Sequence, residues 1–234
     1  MMTARVLSLV ATVAALGAGL LAGACTYTGK PADNPVERRF TYMSYLAADD
    51  LRAVCAAGTP ERYRFVYNAE YSRQVRLYEV EIEPDGRGAV LEARIFGGAP
   101  FGPFEFGFDN WLTERAAERT DLTQRDVRMI DAALEEAGFQ EPPRRPIELW
   151  SDRYYWLVSG CVDGAFMQNG YPHPSRRYDR QRFADVFALI DPTDVGFVDP
   201  PPYEDTRPEP QRRRPRNAQE PGEDGHFVYT VEPN

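Results

Sequence analysis

The chain has 234 residues, with 27 basic against 36 acidic side chains and a formal net charge of −9. That sign argues against a nucleic-acid partner, because phosphate binding needs a basic surface that displaces counterions. With an apolar leader and a polar tail set aside, the length suits a single core of ordinary size, so one domain is expected. Every basic residue except Lys30 is arginine, and there are three cysteines, Cys25, Cys55 and Cys161.

Arg5 is the only charged side chain before Lys30, and Val6 to Leu21 is an almost unbroken apolar run. This is the charged start and apolar stretch of a secretory signal peptide. A retained membrane helix fits less well, since the run is short for a span of about 20 residues and Gly17, Gly19 and Gly23 gather toward its end. Small residues follow at Ala22, Gly23 and Ala24, and the next residue is Cys25. Ala22-Gly23-Ala24 is an A-x-A site for ordinary cleavage. Leu21-Ala22-Gly23-Ala24-Cys25 also resembles the lipobox of bacterial lipoproteins, although that family mostly has leucine where this chain has Ala22. Both readings make Cys25 the new N-terminus. The resemblance implies a diacylglycerol on the Cys25 thiol and a membrane as partner, and Thr26, in place of aspartate, implies the outer membrane. It covers about the first twenty-five residues only. Two acyl chains on one residue give stable attachment at about 0.8 kcal/mol per buried methylene.

The expected divisions are a signal peptide over 1–24, a polar tether over 25–38, a globular domain over 39–198 and a disordered tail over 199–234. Asp49 is read as the cap of a short helix running to Ala57, with Leu51, Val54 and Cys55 on its buried face. Arg64 to Tyr71 reads as a strand, and residues 74 to 96 read as a β-hairpin around Asp85-Gly86-Arg87-Gly88, with one slip in the alternation near Tyr78. Phe101, Phe104, Phe106, Phe108 and Trp111 follow a Gly-Pro loop and form a candidate binding patch, with a core-facing strand as the simpler reading. Thr123 and Asp126 form a capping pair, and Val127, Ile130, Leu134 and Ala137 make the stripe of an amphipathic helix that ends at Gly138. Tyr154 to Gly160 and Ala165 to Gln168 flank a turn with Cys161 beside it, a second hairpin, and a last helix runs from Asp179 to Ile190. Eight of the 36 residues from Asp199 onward are proline, which leaves too little apolar surface to offset ordering, although His226 to Val231 is strand-like.

The fold class expected is therefore α+β, with antiparallel hairpins packed against about three helices. With Cys25 lipidated, Cys55 and Cys161 remain as an even pair in an oxidising compartment and are expected to form a structural disulfide. The sequence contains no G-x-S-x-G, H-E-x-x-H or Walker loop, and its histidines are His173 and His226 alone. No cofactor, metal or catalytic residue is assigned. A lipid-anchored envelope protein with a binding or scaffolding role and an envelope protein partner is the leading expectation. A periplasmic hydrolase using carboxylates, or a polar cleft near Tyr154 to Asp163, is the alternative.

Overall fold

The computed structural model describes residues 42–97, 113–202 and 228–233, with the side chains of 113 and 114 excepted. It is an α+β fold. The strands are β1 (Arg62–Ala69), β2 (Gln74–Ile82), β3 (Gly88–Gly97), β4 (Thr113–Thr123), β5 (Ile147–Trp150), β6 (Tyr154–Val162), β7 (Ala165–Pro172) and β8 (Val228–Val231). The helices are a turn over 42–47, then α1 (Asp49–Val54), α2 (Gln124–Ala137), α3 (Arg176–Arg180) and α4 (Phe183–Ile190). Six strands form one antiparallel sheet in the order β4-β3-β2-β1-β6-β7, and β5 pairs with β8 in a second, two-stranded ribbon.

The large sheet is covered on both faces. On one face Phe65, Tyr78, Leu91 and Trp156 pack against Val127, Ile130 and Leu134 of α2 and Phe183 and Phe187 of α4. On the other, Val66, Leu77, Tyr155 and Leu157 pack against Tyr42, Tyr45 and Leu46 of the first turn and Leu149 and Val231 of the ribbon. This removes the apparent slip near Tyr78. Val75 and Leu77 serve one core while Tyr78, Val80 and Ile82 serve the other, and β2 keeps an unbroken register with both neighbours.

Local signals act where they were expected. Thr123 and Asp126 close a reciprocal capping box at the start of α2, and Gly138 ends that helix at φ 65°, a left-handed conformation that glycine adopts without steric cost. The turn of the second hairpin is Asp163-Gly164, both at positive φ (51° and 76°), the two-residue turn whose twist matches antiparallel strands.

Four expectations need correction. The first helix ends at Val54, its N-cap is Ala48 at φ 51° rather than Asp49, Val54 is 51% exposed and Cys55 is the half-buried C-cap. The last helix is two, broken where Gln181 is extended and its side chain accepts from the Phe183 N–H at 2.8 Å. The charged segment Thr113–Thr123 is an edge strand, β4, where none was expected. The end of the tail belongs to the fold: Val228 and Val231 are 8% and 1% exposed and pair with Trp150 and Ile147. Residues 203–227 lie outside the described residues.

After α4 the chain is strapped back over the sheet by a buried polar network. Arg76, fully buried, donates to Asp191 at 2.9 Å and to the Val195 carbonyl at 2.5 Å, and its guanidinium lies 3.8 Å from the centre of the Phe197 ring. Tyr78 also donates to Asp191, at 2.6 Å, and Tyr67 donates to the Val198 carbonyl at 2.7 Å. A buried charge is tolerated only when its donors are met in this way.

Two predictions follow from these layers. Removing residues 228–234 takes Val231 and the partly buried Tyr229 out of the second core and removes the buried Val228, and we expect a stability loss of about 2–4 kcal/mol in urea unfolding after the recovered chain entropy is allowed for. An unchanged midpoint would mean that β8 does not pack. The second concerns pH. Tyr42, in contact with Tyr155 at 2.7 Å, has its pKa raised, first by burial and then by that neighbour, and burial also raises Tyr155 and Tyr78 and pushes Tyr178 up to about 12. Groups whose folded pKa is raised contribute stability that is complete below the unfolded value near 10 and is lost as pH climbs through the folded values. With a single lysine in the chain, a fall in the urea midpoint beginning near pH 10 reports these tyrosines, and a midpoint that holds to pH 12 contradicts their burial.

Candidate functional site

The second cover does not reach the whole sheet. Toward the β1 start and the β3 start the same face carries Arg62, Arg64, Glu79, Glu81, Val90 and Glu92, the positions in step with the buried Val66 and Leu77 but beyond the first turn and ribbon. Here α1 lies alongside and a cleft of about 300 Å3 opens, lined by Asp50, Leu51 and Val54 of α1, the charged rows of β1 to β3, and Arg119 of β4.

Cross-strand pairing dictates its electrostatics. Arg62 stands opposite Glu81, Arg64 opposite Glu79, Glu79 opposite Glu92, and Glu92 opposite Arg119. The Glu79–Glu92 pair alone would be repulsive. Each is instead met by an arginine: Arg64 donates to Glu79 at 2.6 and 3.0 Å and to both oxygens of Asp50 at 2.6 and 2.9 Å, and Arg94 pairs with Glu92 and donates to the Tyr45 hydroxyl at 3.3 Å. Burial works against the Arg64 charge, but the hydrogen bonds and charges of Asp50 and Glu79 outweigh it and raise its pKa. Arg64 is 3% exposed, so it holds α1 onto the sheet, whereas Arg62 and Glu81, at 2.6 Å but 39% and 52% exposed, form the rim and contribute little to stability. The cleft therefore presents an ordered pattern of opposite charges around Val54 and Val90. Chemically it can recognise a charged, extended surface.

The disulfide sits beside this cleft. Cys55 and Cys161 are bonded with Cα atoms 5.5 Å apart, and the bridge fixes the end of α1 to β6 across 106 residues of sequence. Cys161 is buried at 1% exposure. The other sequence-derived residues are not brought together. Cys25, and Phe101, Phe104, Phe106, Phe108 and Trp111, lie outside the described residues, as does His226. Tyr154 to Val162 forms no polar cleft, because β6 lies buried along its length between β1 and β7. His173 directly follows β7 and lies edge-on to Tyr178 and Tyr154, with ring centres 4.9 and 6.4 Å away, and burial lowers its pKa against the opposing charge of Asp179. Among the described residues no three His, Cys, Asp or Glu side chains are placed to hold a metal, and no helix is long and apolar enough to cross a membrane.

The charged cleft went unremarked in the sequence, although its signal was there: Arg62, Arg64, Glu79, Glu81 and Glu92 all fall on the parity opposite to that of Phe65, Val80 and Leu91. No family description, curated protein or solved structure matches this chain.

The bridge generates a prediction. Closing a loop of this length is worth up to about 4–5 kcal/mol in the chain-entropy account. Mass spectrometry without reductant should find Cys55 linked to Cys161, and the Cys55→Ala, Cys161→Ala protein should melt well below the unsubstituted one. Two free thiols in the protein isolated without reductant contradict the bond.

Proposed function

We propose that the protein is an exported, lipid-anchored component of a bacterial envelope, and that it binds or scaffolds a protein partner at the membrane surface through the charged cleft beside α1. The observation that carries this reading is the apolar run ending in Ala22-Gly23-Ala24-Cys25, which resembles a lipobox and supplies both export and attachment. The Cys55–Cys161 bond supports it, since disulfides persist in the oxidising compartments outside the cytoplasm.

The cleft suits binding better than hydrolysis. Carboxylate chemistry on a scissile bond needs one acid and one base that face a shared substrate. Asp50, Glu79, Glu81 and Glu92 each pair with an arginine instead, which turns them toward protein groups rather than toward a shared substrate. A partner displaying alternating basic and acidic side chains can exchange with the rim pair Arg62–Glu81 at low cost, because exposed pairs are weak. Arg64, Asp50 and Glu79 stay in place as the frame.

The test is to follow palmitate incorporation and membrane retention of the Cys25→Ser protein. Loss of label together with release into the soluble envelope fraction is expected. Label and retention that persist in that variant overturn the lipid anchor.

A further inference from the structure

We propose that β8 is an exchangeable strand, and that a second copy of this chain is the partner whose β8 can occupy the slot beside β5. The slot is defined. β8 lies antiparallel to β5, Val231 fills the second core beside Leu149, and the Tyr229 hydroxyl donates to Gln168 at 2.8 Å. Every one of these contacts is made to a residue outside the segment that delivers β8.

That segment makes exchange feasible. The strap that follows α4 is fixed on the helix-bearing face by Arg76, Gln74 and Tyr67, whose bonds reach Val195, Gly196 and Val198. β8 is seated on the opposite face, in the second core. Withdrawing it therefore disturbs none of the strap's anchors. Between residue 202 and residue 228 lie 25 residues, a contour of roughly 85 Å at full extension. A domain of this size is about 40 Å across. The same β8 can thus reach its own slot or that of a neighbouring copy.

A two-stranded ribbon gains little from pairing alone, so β5 is completed by the side chains that β8 brings into the core. A second copy supplies the same side chains in the same register, and reciprocal exchange closes a two-fold dimer in which each slot is filled by the other chain. Because closed and exchanged forms have identical contacts at the slot, concentration sets their balance. Tethered strands compete at an effective concentration on the order of millimolar. Crowding on a membrane surface supplies that level, a step that rests on the lipid anchor proposed above.

The experiment uses the register pair Glu148 and Thr230, both half-buried and directly opposed. Full-length mature protein carrying Glu148→Cys is mixed with protein carrying Thr230→Cys and treated with a short bis-maleimide. This is done with lipidated protein at low and high density in vesicles, and with Cys25→Ser protein in solution up to millimolar concentration. The double variant in one chain, which should crosslink within itself, confirms that the slot has formed. Exchange predicts a crosslinked species of twice the chain mass that contains one of each variant and grows with density. Its appearance in concentrated solution but not on vesicles upholds the exchange and overturns membrane crowding as what drives it, while the anchor itself is read separately from the Cys25→Ser labelling. Intrachain crosslinking in the double variant with no mixed dimer in either setting overturns the exchange.

Discussion

One antiparallel sheet is covered on both faces at one end and on a single face at the other, and the placement of the helices, the ribbon and the cleft follows from that unequal cover. Where both faces are buried, β1, β2 and β6 carry apolar or aromatic residues on both parities, with Asn68, Gln74 and Arg76 among the buried polar exceptions, and the strands lose the simple in-and-out pattern. The second cover is assembled from the two ends of the described chain, the turn over 42–47 and the strand β8, with β5 between. Where that cover stops, the exposed parity becomes charged, and the cleft beside α1 is the result. The cleft is thus the unfinished part of a layer that the fold completes elsewhere.

Two devices hold the covers in place, and they differ in kind. On the helix-bearing face, Arg76 is fully buried and its partners lie 115 and 119 residues away, so this network forms only after the strands and α4 have docked. On the other face, α1 is fixed by the Arg64 bonds to Asp50 and Glu79 and by the disulfide to β6. Breaking a buried pair by removing one partner leaves an uncompensated charge, which makes Arg76 and Asp191 sensitive positions. The bridge acts mainly on the unfolded chain, so its loss lowers stability chiefly by freeing that chain.

What could be read from the sequence was what local chemistry decides. The capping box at Thr123 and Asp126, the apolar stripe of α2, the left-handed Gly138 and both hairpin turns depend on neighbours within a few residues. The Cys55–Cys161 pairing followed from there being only two candidates, although Cys55 caps α1 and does not lie on its buried face. What was hidden depends on contacts at long range. β4 is a sheet edge whose charged residues guard against pairing with another chain, so it carries little apolar alternation. β8 is only four residues long and becomes a strand because β5 and the second core await it. The break at Gln181 is a single side-chain hydrogen bond inside an otherwise helical pattern. The cleft was legible in principle, as charge confined to one parity of three strands, but that pattern has meaning only once the register aligns those strands.

The two-faced sheet can be tested most directly by native-state hydrogen exchange. If the second cover is part of the folded unit, the amides of β8 that bond to β5, and those of the turn over 42–47, will exchange slowly through an opening that costs less than global unfolding. The amides shared by β1 and β6 will then exchange only with global unfolding. Exchange of the β8 and 42–47 amides at the rate of an unstructured chain, with β1 and β6 still protected, would contradict the account.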